Sequence, residues 1–304
     1  MRTPDYNFPT MKTIALLILS LTSLPVFAAL DTNQIQQVVG IKGVWNATEG
    51  VYKITSPRND VKVSVGGWAM PPFMGLASWA AFNEGKTNDA MVMGDNVLFQ
   101  DEVNPVMNVA LDNGLSVTAL HNHFFYDDPK VFFMHISGEG SAEQLATAIH
   151  KMWAKVKEIR TANPQPATTF GGASMPATNS ITGKTIEDII GVKGQANNGM
   201  FKIVIGRTTT LPCGCTMTKD MGVNTWAAFA GTDDNALVDG DFAVEENQLQ
   251  PVLKTLRHDG INIVAIHSHM TEENPRILFL HYWGRGNAMD LANSLKAALD
   301  TQTK

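Results

Sequence analysis

The sequence predicts an α+β protein formed by tandem duplication, with a mainly antiparallel sheet covered by helices and the two copies packed as a pseudo-dimer. The main observation is internal. Residues 94–140 align without a gap on residues 240–286, and thirteen of these 47 positions are identical. Self-similarity at a fixed offset marks a repeated structural unit. Within each copy, alternating apolar segments are mixed with helical segments without strict alternation, which favours an α+β layer.

The same order of elements is predicted in both copies. In the first copy, Ser141 and Gln144 form a capping box ahead of an apolar helical pattern, and Asn287 and Asp290 take the equivalent place in the second. Alternation of apolar and polar residues marks the strands, and proline and glycine mark helix ends. The predicted elements of the first copy are helix 33–39, strands 51–55, 61–65, 79–82 and 90–98, helix 105–113, strands 115–123 and 131–137, and the helix after Ser141.

The chain is long enough for two domains that each bury a core. Between the copies, a stretch rich in Thr, Pro, Ala, Gly, Ser and Asn has no apolar period and is typical of a linker. The predicted segments are an N-terminal extension and signal peptide (1–29), a first repeat (30–160), a linker (161–184) and a second repeat (185–304).

The N-terminus has the pattern of a secretory signal. Lys12 precedes the short apolar run 14–19, and small residues follow up to Ala28 and Ala29. A basic start, a short apolar core and a small-residue exit are typical of a signal peptide. We therefore expect a periplasmic or secreted protein, cleaved near Ala28 or Ala29 and without a stable membrane anchor after cleavage.

The bulk composition excludes one class of partner. Hydrophobic residues make up 44% of the chain and charged residues 17%, which describes a globular protein. The formal net charge is −6, and no run of lysine or arginine is present. Nucleic-acid binding depends on such basic surfaces, so we expect no nucleic-acid partner. A small-molecule or envelope ligand fits the composition better.

Six of the eight histidines fall at matched positions in an H-x-H…H pattern. Because side chains alternate along a strand, the two histidines of H-x-H share one face. With a hairpin centred near Asp128, His121 lies opposite His135, and His123 lies opposite Phe133. Three imidazoles then meet at one end of a face that also carries Leu115 and Val117. The candidate metal ligands are His121, His123 and His135 in the first copy, and His267, His269 and His281 in the second.

Three neutral imidazoles with an open fourth position are a common zinc arrangement, and imidazole also suits copper. We therefore expect a divalent transition metal, zinc first and copper second. The alternative is that the histidines are structural, each hydrogen-bonded to backbone groups within the hairpin core. His150 and His258 have no counterparts; they fall on predicted helices and are expected at the surface.

Carboxylates near the histidines are candidates for supporting roles. Asp95 and Asp241 are matched, and each either orients an imidazole or simply ends a strand in a Gly-Asp turn. We favour the turn. Glu102 is the candidate general base for water activated by a metal. Its counterpart is Gln248, so only the first copy is fully equipped unless Glu245 and Glu246 compensate.

The only two cysteines, Cys213 and Cys215, belong to the second copy alone. A C-x-C pair in an exported protein can bind a soft metal, exchange thiols or form a disulfide in a small ring. We count both cysteines as candidate metal ligands and leave the three alternatives open.

Both copies contain distinctive sequence motifs. They are Trp79-Ala80-Ala81-Phe82, Met91-Val92-Met93-Gly94-Asp95 and Thr118-Ala119-Leu120-His121-Asn122-His123 in the first copy, and Pro212-Cys213-Gly214-Cys215, 222–229 and His281-Tyr282-Trp283-Gly284 in the second. These motifs resemble the LppY/LpqO conserved-domain family of exported bacterial proteins, in two tandem copies. The resemblance covers nearly all of residues 31–299 and is specific. It implies export and supplies no reaction.

Two functions compete at this point. The first is a periplasmic metal-binding protein or a metal-dependent enzyme, the reaction being hydrolysis if the metal activates water. The second is a non-catalytic pseudo-dimer that holds a ligand between its copies, with structural histidines. In that case Trp79, Trp226, Phe124 and Phe125 are candidates to line the cleft, although we expect both tryptophans in the core.

Overall fold

A computed structural model describes Met1 and residues 30–86, 89–171 and 174–303. The predicted signal peptide and its cleavage point lie outside these residues. Within the described ranges, no helix combines the length and the apolar character needed to cross a membrane.

The first copy contains three helices and nine strands among the described residues. They are α1 (Thr32–Val39), β1 (Val44–Asn46), β2 (Val51–Pro57), β3 (Val63–Val65), β4 (Trp68–Met70), β5 (Ala77–Glu84), β6 (Ala90–Phe99), α2 (Gln100–Asp112), β7 (Ser116–His121), β8 (Asp127–Asp128), β9 (Val131–Gly140) and α3 (Ala142–Ala162).

The second copy repeats this order, except that a single antiparallel bridge between Thr210 and Asn274 takes the place of the short strand β8. Its elements are α4 (Gly183–Ile190), β10 (Gly194–Asn197), β11 (Met200–Gly206), β12 (Thr209–Thr210), β13 (Thr216–Met217), β14 (Asn224–Thr232), β15 (Asn235–Glu245), α5 (Leu249–His258), β16 (Asn262–His267), β17 (Ile277–Gly286) and α6 (Ala288–Asp300).

The two copies share one twelve-stranded sheet in the order β1-β2-β5-β6-β9-β7-β16-β17-β15-β14-β11-β10. The order is palindromic, because each strand of one half has its counterpart at the mirrored place in the other. Neighbouring strands are antiparallel throughout this sheet. The prediction of a duplicated α+β unit with a mainly antiparallel sheet is confirmed.

One hydrophobic core runs along the sheet beneath the helices. It joins Ile35, Met107 and Ile149 of the helices to strand residues such as Val92 and Leu120, and it continues into the second copy. The other side of the sheet, which we call the helix-free face, has only two small clusters. One includes Val97 and Phe133 and the other includes Ala243 and Phe279. Much of the helix-free face is therefore available for a site.

The copies meet at β7 and β16, where Leu120 pairs with Ile266. Two amide side chains reach across this junction in a matched way. Asn104 Oδ1 accepts from Ile263 N at 2.8 Å, and Asn104 Nδ2 donates to Ile263 O at 3.2 Å. Gln250 makes the same pair of bonds to Val117, at 3.0 and 2.8 Å. Each copy thus satisfies backbone groups of the other, which would be costly to leave unpaired.

Helix bounds differ from the sequence prediction in one instructive place. Helix α2 begins at Gln100, five residues before the predicted start at Pro105, which lies inside it. The reason is Glu102, whose Oε2 accepts from Phe99 N at 2.9 Å and caps the earlier turn. The predicted caps hold at Ser141, which accepts from Gln144 N, and at Asn287, which accepts from Met289 N.

The bounds of the predicted linker overlap the flanking helices. Helix α3 continues to Ala162 and α4 begins at Gly183, so both ends of 161–184 are helical. The repeat boundaries themselves stay a prediction.

The predicted histidine register is wrong by two residues, and each inner strand also contains a bulge. The register shifts between Val117 and Ala119 in β7, and between Ile263 and Ala265 in β16. One extra residue reverses the alternation of side chains. Val117 and Leu120 therefore both enter the helix-side core, while His121 takes the opposite face. His121 pairs with Phe133, and His135 pairs with Ala119.

Candidate metal centre

Neighbouring strands place matched side chains beside one another on the helix-free face. Trp79 of β5 pairs with Asp95 of β6, which pairs with His135 of β9. Cross-strand partners lie on the same face with Cβ atoms about 5 Å apart. Trp226, Asp241 and His281 form the same row on β14, β15 and β17. Asp95 therefore lies beside His135 in the first copy, and Asp241 lies beside His281 in the second.

The second copy gathers a group with the geometry of a metal site. Asp241, His267 and His269 each offer one ligand atom, and these atoms lie within 4.8 Å of one another. His267 Nε2 and His269 Nε2 are 3.2 Å apart, and His269 Nε2 is 3.7 Å from Asp241 Oδ2. Tetrahedral zinc with Zn–N bonds of 2.0–2.1 Å separates its ligand atoms by about 3.3 Å. Three side chains therefore converge at a spacing that suits one ion.

His281, the third predicted histidine of this copy, borders the group without belonging to it. Its Nδ1 is 3.9 Å from Asp241 Oδ1, and its ring centroid is 4.8 Å from that of His267. Its side chain is 43% exposed, against 4% for Asp241.

The first copy brings a different pair of histidines together. His121 Nε2 and His135 Nε2 are 3.0 Å apart, while the ring centroids of His121 and His123 are 5.1 Å apart and nearly parallel. Asp95 pairs with His135 across the strands. Among the described residues, only the second copy has three ligand atoms within 4.8 Å of each other.

A phenylalanine forms the floor of each histidine cluster. The ring of His123 stacks on Phe133 with centroids 3.3 Å apart, and that of His269 stacks on Phe279 at 3.5 Å. Both phenylalanines are buried. Stacking on a buried aromatic ring fixes the orientation of an imidazole. His123 and His269 are therefore oriented although each lies past the end of its strand.

Burial shapes the electrostatics of both clusters. It raises the pKa of Asp95 and of Asp241, although the neighbouring histidines act in the opposite direction. It also lowers the pKa of His267 to about 4, with His281 and His269 adding to the effect. The pKa of His123 is lowered too, first by burial and then by His121. A neutral imidazole carries the lone pair that a metal needs.

Three buried polar atoms in the clusters have no hydrogen-bond partner among the described residues. They are Asp95 Oδ1, Asp241 Oδ1 and His267 Nδ1. Buried polar groups are normally hydrogen-bonded, and each exception needs an explanation. The two aspartate oxygens are equivalent in the two copies, so this feature is a property of the duplicated unit.

Glu102, the predicted general base, is placed for another role. It is completely buried, and its two oxygens accept from Arg58 at 2.7 and 2.8 Å. Arg160 Nε lies 3.0 Å from Glu102 Oε1, and Arg160 also pairs with Asp101. A carboxylate held by two guanidinium groups and a helix cap has no access to a water on a metal. The prediction of catalysis by Glu102 is therefore corrected to a structural ion pair.

Cys213 and Cys215 form a disulfide, and neither sulfur belongs to the group of potential ligands. They lie between β12 and β13, and Leu211 N donates to Cys215 O at 3.0 Å across this hairpin. Thr210 also forms backbone hydrogen bonds with Asn274, in the segment between His269 and β17. A disulfide has no thiolate to offer a metal, so the prediction of cysteine ligands is not met in this oxidised form.

The sequence analysis did not predict the positions of Asp95, Asp241 and the two tryptophans correctly. Both aspartates lie inside strands and not in the favoured Gly-Asp turn, because β6 and β15 continue past them. Trp79 and Trp226 are only half-buried beside the aspartates, with Lys53 Nζ and Lys202 Nζ over their rings at 4.4 and 4.2 Å. Their predicted core position is corrected. The matched Gly-Asp identity was the signal for the carboxylates.

Fold and site together define a duplicated α+β protein with a candidate His/Asp metal group on the helix-free face of its sheet. The chain belongs to the family described as Domain of Unknown Function (DUF1259), whose model matches residues 33–155 and 184–301. The two matched regions agree with the duplication. No curated protein and no solved structure matches the chain.

Proposed function

We propose that this protein is a periplasmic metal-binding protein whose principal ion is held by Asp241, His267 and His269. The observation that supports this most is the convergence of their ligand atoms within 4.8 Å. Two histidines and a carboxylate form a common zinc ligand set that leaves a position open. Zinc is our first candidate and copper the second, and the carboxylate adds iron(II) as a third to be measured.

The first copy supplies the second, matched site from Asp95, His121, His123 and His135. His121 and His135 already present Nε2 atoms at 3.0 Å, which is close to the spacing of two ligands on one tetrahedral ion. Turning the ring of His123 away from its stack on Phe133 brings a third nitrogen to the same point. His281 is the equivalent of His135 and extends the principal site.

The competing hypothesis of structural histidines explains the contacts less well. A structural imidazole uses its ring nitrogens on backbone or side-chain partners. In each copy one N–H···N bond would join the two facing Nε2 atoms, but it leaves Asp95 Oδ1, Asp241 Oδ1 and His267 Nδ1 buried without partners. An ion satisfies facing nitrogens and unpartnered aspartate oxygens at once. The metal hypothesis therefore accounts for more of the observed polar atoms.

We further propose that the bound metal activates water for a hydrolytic reaction. A metal held by three side chains keeps a position for water and lowers the pKa of that water. With Glu102 in an ion pair, the base has to come from the site itself, and His281 beside Asp241 is the nearest candidate in the second copy. Export through the signal at 1–29, and membership of the LppY/LpqO group, also stand as proposals.

The test is metal stoichiometry in the purified protein, with calorimetric zinc titration of the stripped protein. We expect wild type to bind up to two equivalents, and His267→Ala and Asp241→Asn each to lose one. His258→Ala is the control, because His258 is exposed on α5 outside the cluster. Wild type that binds no metal, or variants that bind as much as wild type, would contradict the proposal.

A further inference from the structure

The two histidine clusters lie next to each other across the junction of the copies. Leu120 pairs with Ile266, and both enter the helix-side core. The following residues, His121 and His267, therefore both point to the helix-free face. In an antiparallel pair they are diagonal neighbours, which places their backbones about 7–8 Å apart. No other strand separates the two inner histidines.

The clusters belong to one band of contacting side chains that crosses the sheet from one half to the other. In the first copy the band runs inward from Lys53 and Trp79 through Asp95 and His135 to His121. The second copy repeats the same residue types in reverse order. They are His267, His281, Asp241, Trp226 and, at the outer end, Lys202. The palindromic strand order therefore centres the histidines and puts a lysine at each end.

The charges along this band favour an anion. With Asp95 and Asp241 engaged as ligands, the band carries two metal cations at its centre and two exposed lysines outside them, against one further carboxylate, Asp239, beside Asp241 in the second copy. Opposite charge focused on one surface raises both the affinity and the association rate of an anion. A ligand with a single anionic group gains from only one metal, whereas one with two separated groups can use both.

We propose that the two metal sites act as one binding surface for an extended anion with two metal-binding groups, one on each ion. This inference rests on the proposed metal-binding function. Each ion lies outward of its inner histidine, so the two ions are about 10–14 Å apart and the ligand must be long enough to span them. Carboxylate and phosphonate groups share the required chemistry.

The experiment measures binding of two homologous series to the zinc-loaded protein by calorimetry. The series are linear alkane dicarboxylates and linear alkane diphosphonates of increasing length, with the corresponding single-headed acids as controls. When the first group binds, the second is held at high local concentration. We expect affinity to rise at least about tenfold at the length that spans both ions, and the better series identifies the anionic group.

Variants that keep only one metal site show whether the gain in affinity comes from a ligand that bridges two ions. His121→Ala and His267→Ala should each lose the tenfold gain and bind one equivalent of single-headed acid where wild type binds two, and His150→Ala on the exposed side of α3 should keep the gain. Wild type loaded with one equivalent of metal gives the same comparison if a variant fails to fold. The distance between two Cu(II) ions, measured from their magnetic dipolar coupling, should be below about 20 Å.

The outcomes separate this inference from the function it rests on. Protein that binds no metal rejects the metal-binding proposal itself. Protein that binds two ions but shows no dependence on ligand length, or Cu(II) ions more than about 20 Å apart, rejects the bridging surface and leaves two independent metal sites.

Discussion

The two copies carry the same site residues on equivalent strands, yet they arrange them differently. In the second copy His267 directs its Nε2 to His269, and Asp241 joins them. In the first copy His121 directs its Nε2 to His135, while His123 stays stacked beside it. Duplication thus fixed which strands bear the ligands. Side-chain rotation within each copy decides which ligand atoms converge.

The copies also differ in what supports the site. The first copy buries an ion-pair network around Glu102, where the second has Gln248, which donates to Gln302 O and accepts from Glu245 N. The β3–β4 hairpin turns through Gly66 and Gly67, whereas the β12–β13 hairpin is closed by the disulfide. The first copy therefore has a buried ion-pair network here, whereas the second has the hydrogen bonds of Gln248, a looser ion pair of 3.7 Å between Arg207 and Glu245, and a disulfide.

The largest expected effect concerns the side chains that hold the N-terminal ends of α2 and α5. Glu102→Ala leaves the buried guanidinium groups of Arg58 and Arg160 without their shared carboxylate, which should cost about 3–5 kcal/mol of unfolding free energy. Gln248→Ala removes two neutral hydrogen bonds and should cost about 1–2 kcal/mol. Urea denaturation at pH 7 measures both. Equal losses would show that the ion pair is no more important than its neutral counterpart.

A smaller effect should appear as a pH dependence of the metal-free protein. Burial lowers the pKa of His267 to about 4, below the ordinary value near 6.5 that applies when the chain is unfolded. Between these values the unfolded chain binds a proton that the folded chain does not, so the unfolding free energy should fall as the pH drops from about 6.5 towards 4. Urea denaturation at a series of pH values measures this slope.

The matched variants for that slope are His267→Gln and His258→Gln. The first should flatten the decline because it removes the buried imidazole, and the second should retain it because His258 is exposed. An unchanged slope in His267→Gln would mean that His267 protonates as easily when folded as when unfolded.

The smallest effect concerns the disulfide, which only the second copy has. Reduction of Cys213 and Cys215 should leave the number of bound metal ions unchanged, since neither sulfur belongs to the His/Asp group. Metal content measured before and after treatment with a phosphine reductant tests this. An ion gained or lost on reduction would instead make the thiols ligands, and would make the second site chemically different from the first.

Local signals in the sequence were sufficient for the elements and for the type of site. The capping residues Ser141 and Asn287, the alternating strands and the matched histidines all act through neighbours within a few positions. The start of α2 was predicted too late because Pro105 is typical of a first helical turn, and Glu102 was interpreted only as a general base. Its role as a cap depends on its burial against Arg58 and Arg160, which are distant in sequence.

The sequence by itself determined that this protein is a duplicated α+β unit with three matched histidines per copy. Only the tertiary structure decided that both copies form one continuous sheet, that a bulge precedes His121 and His267 in their strands, and that Asp241 of β15 joins His267 and His269. The physical reason is one of range. Alternation and capping are local, whereas register, bulges and cross-strand neighbours depend on hydrogen bonds between segments far apart in the chain.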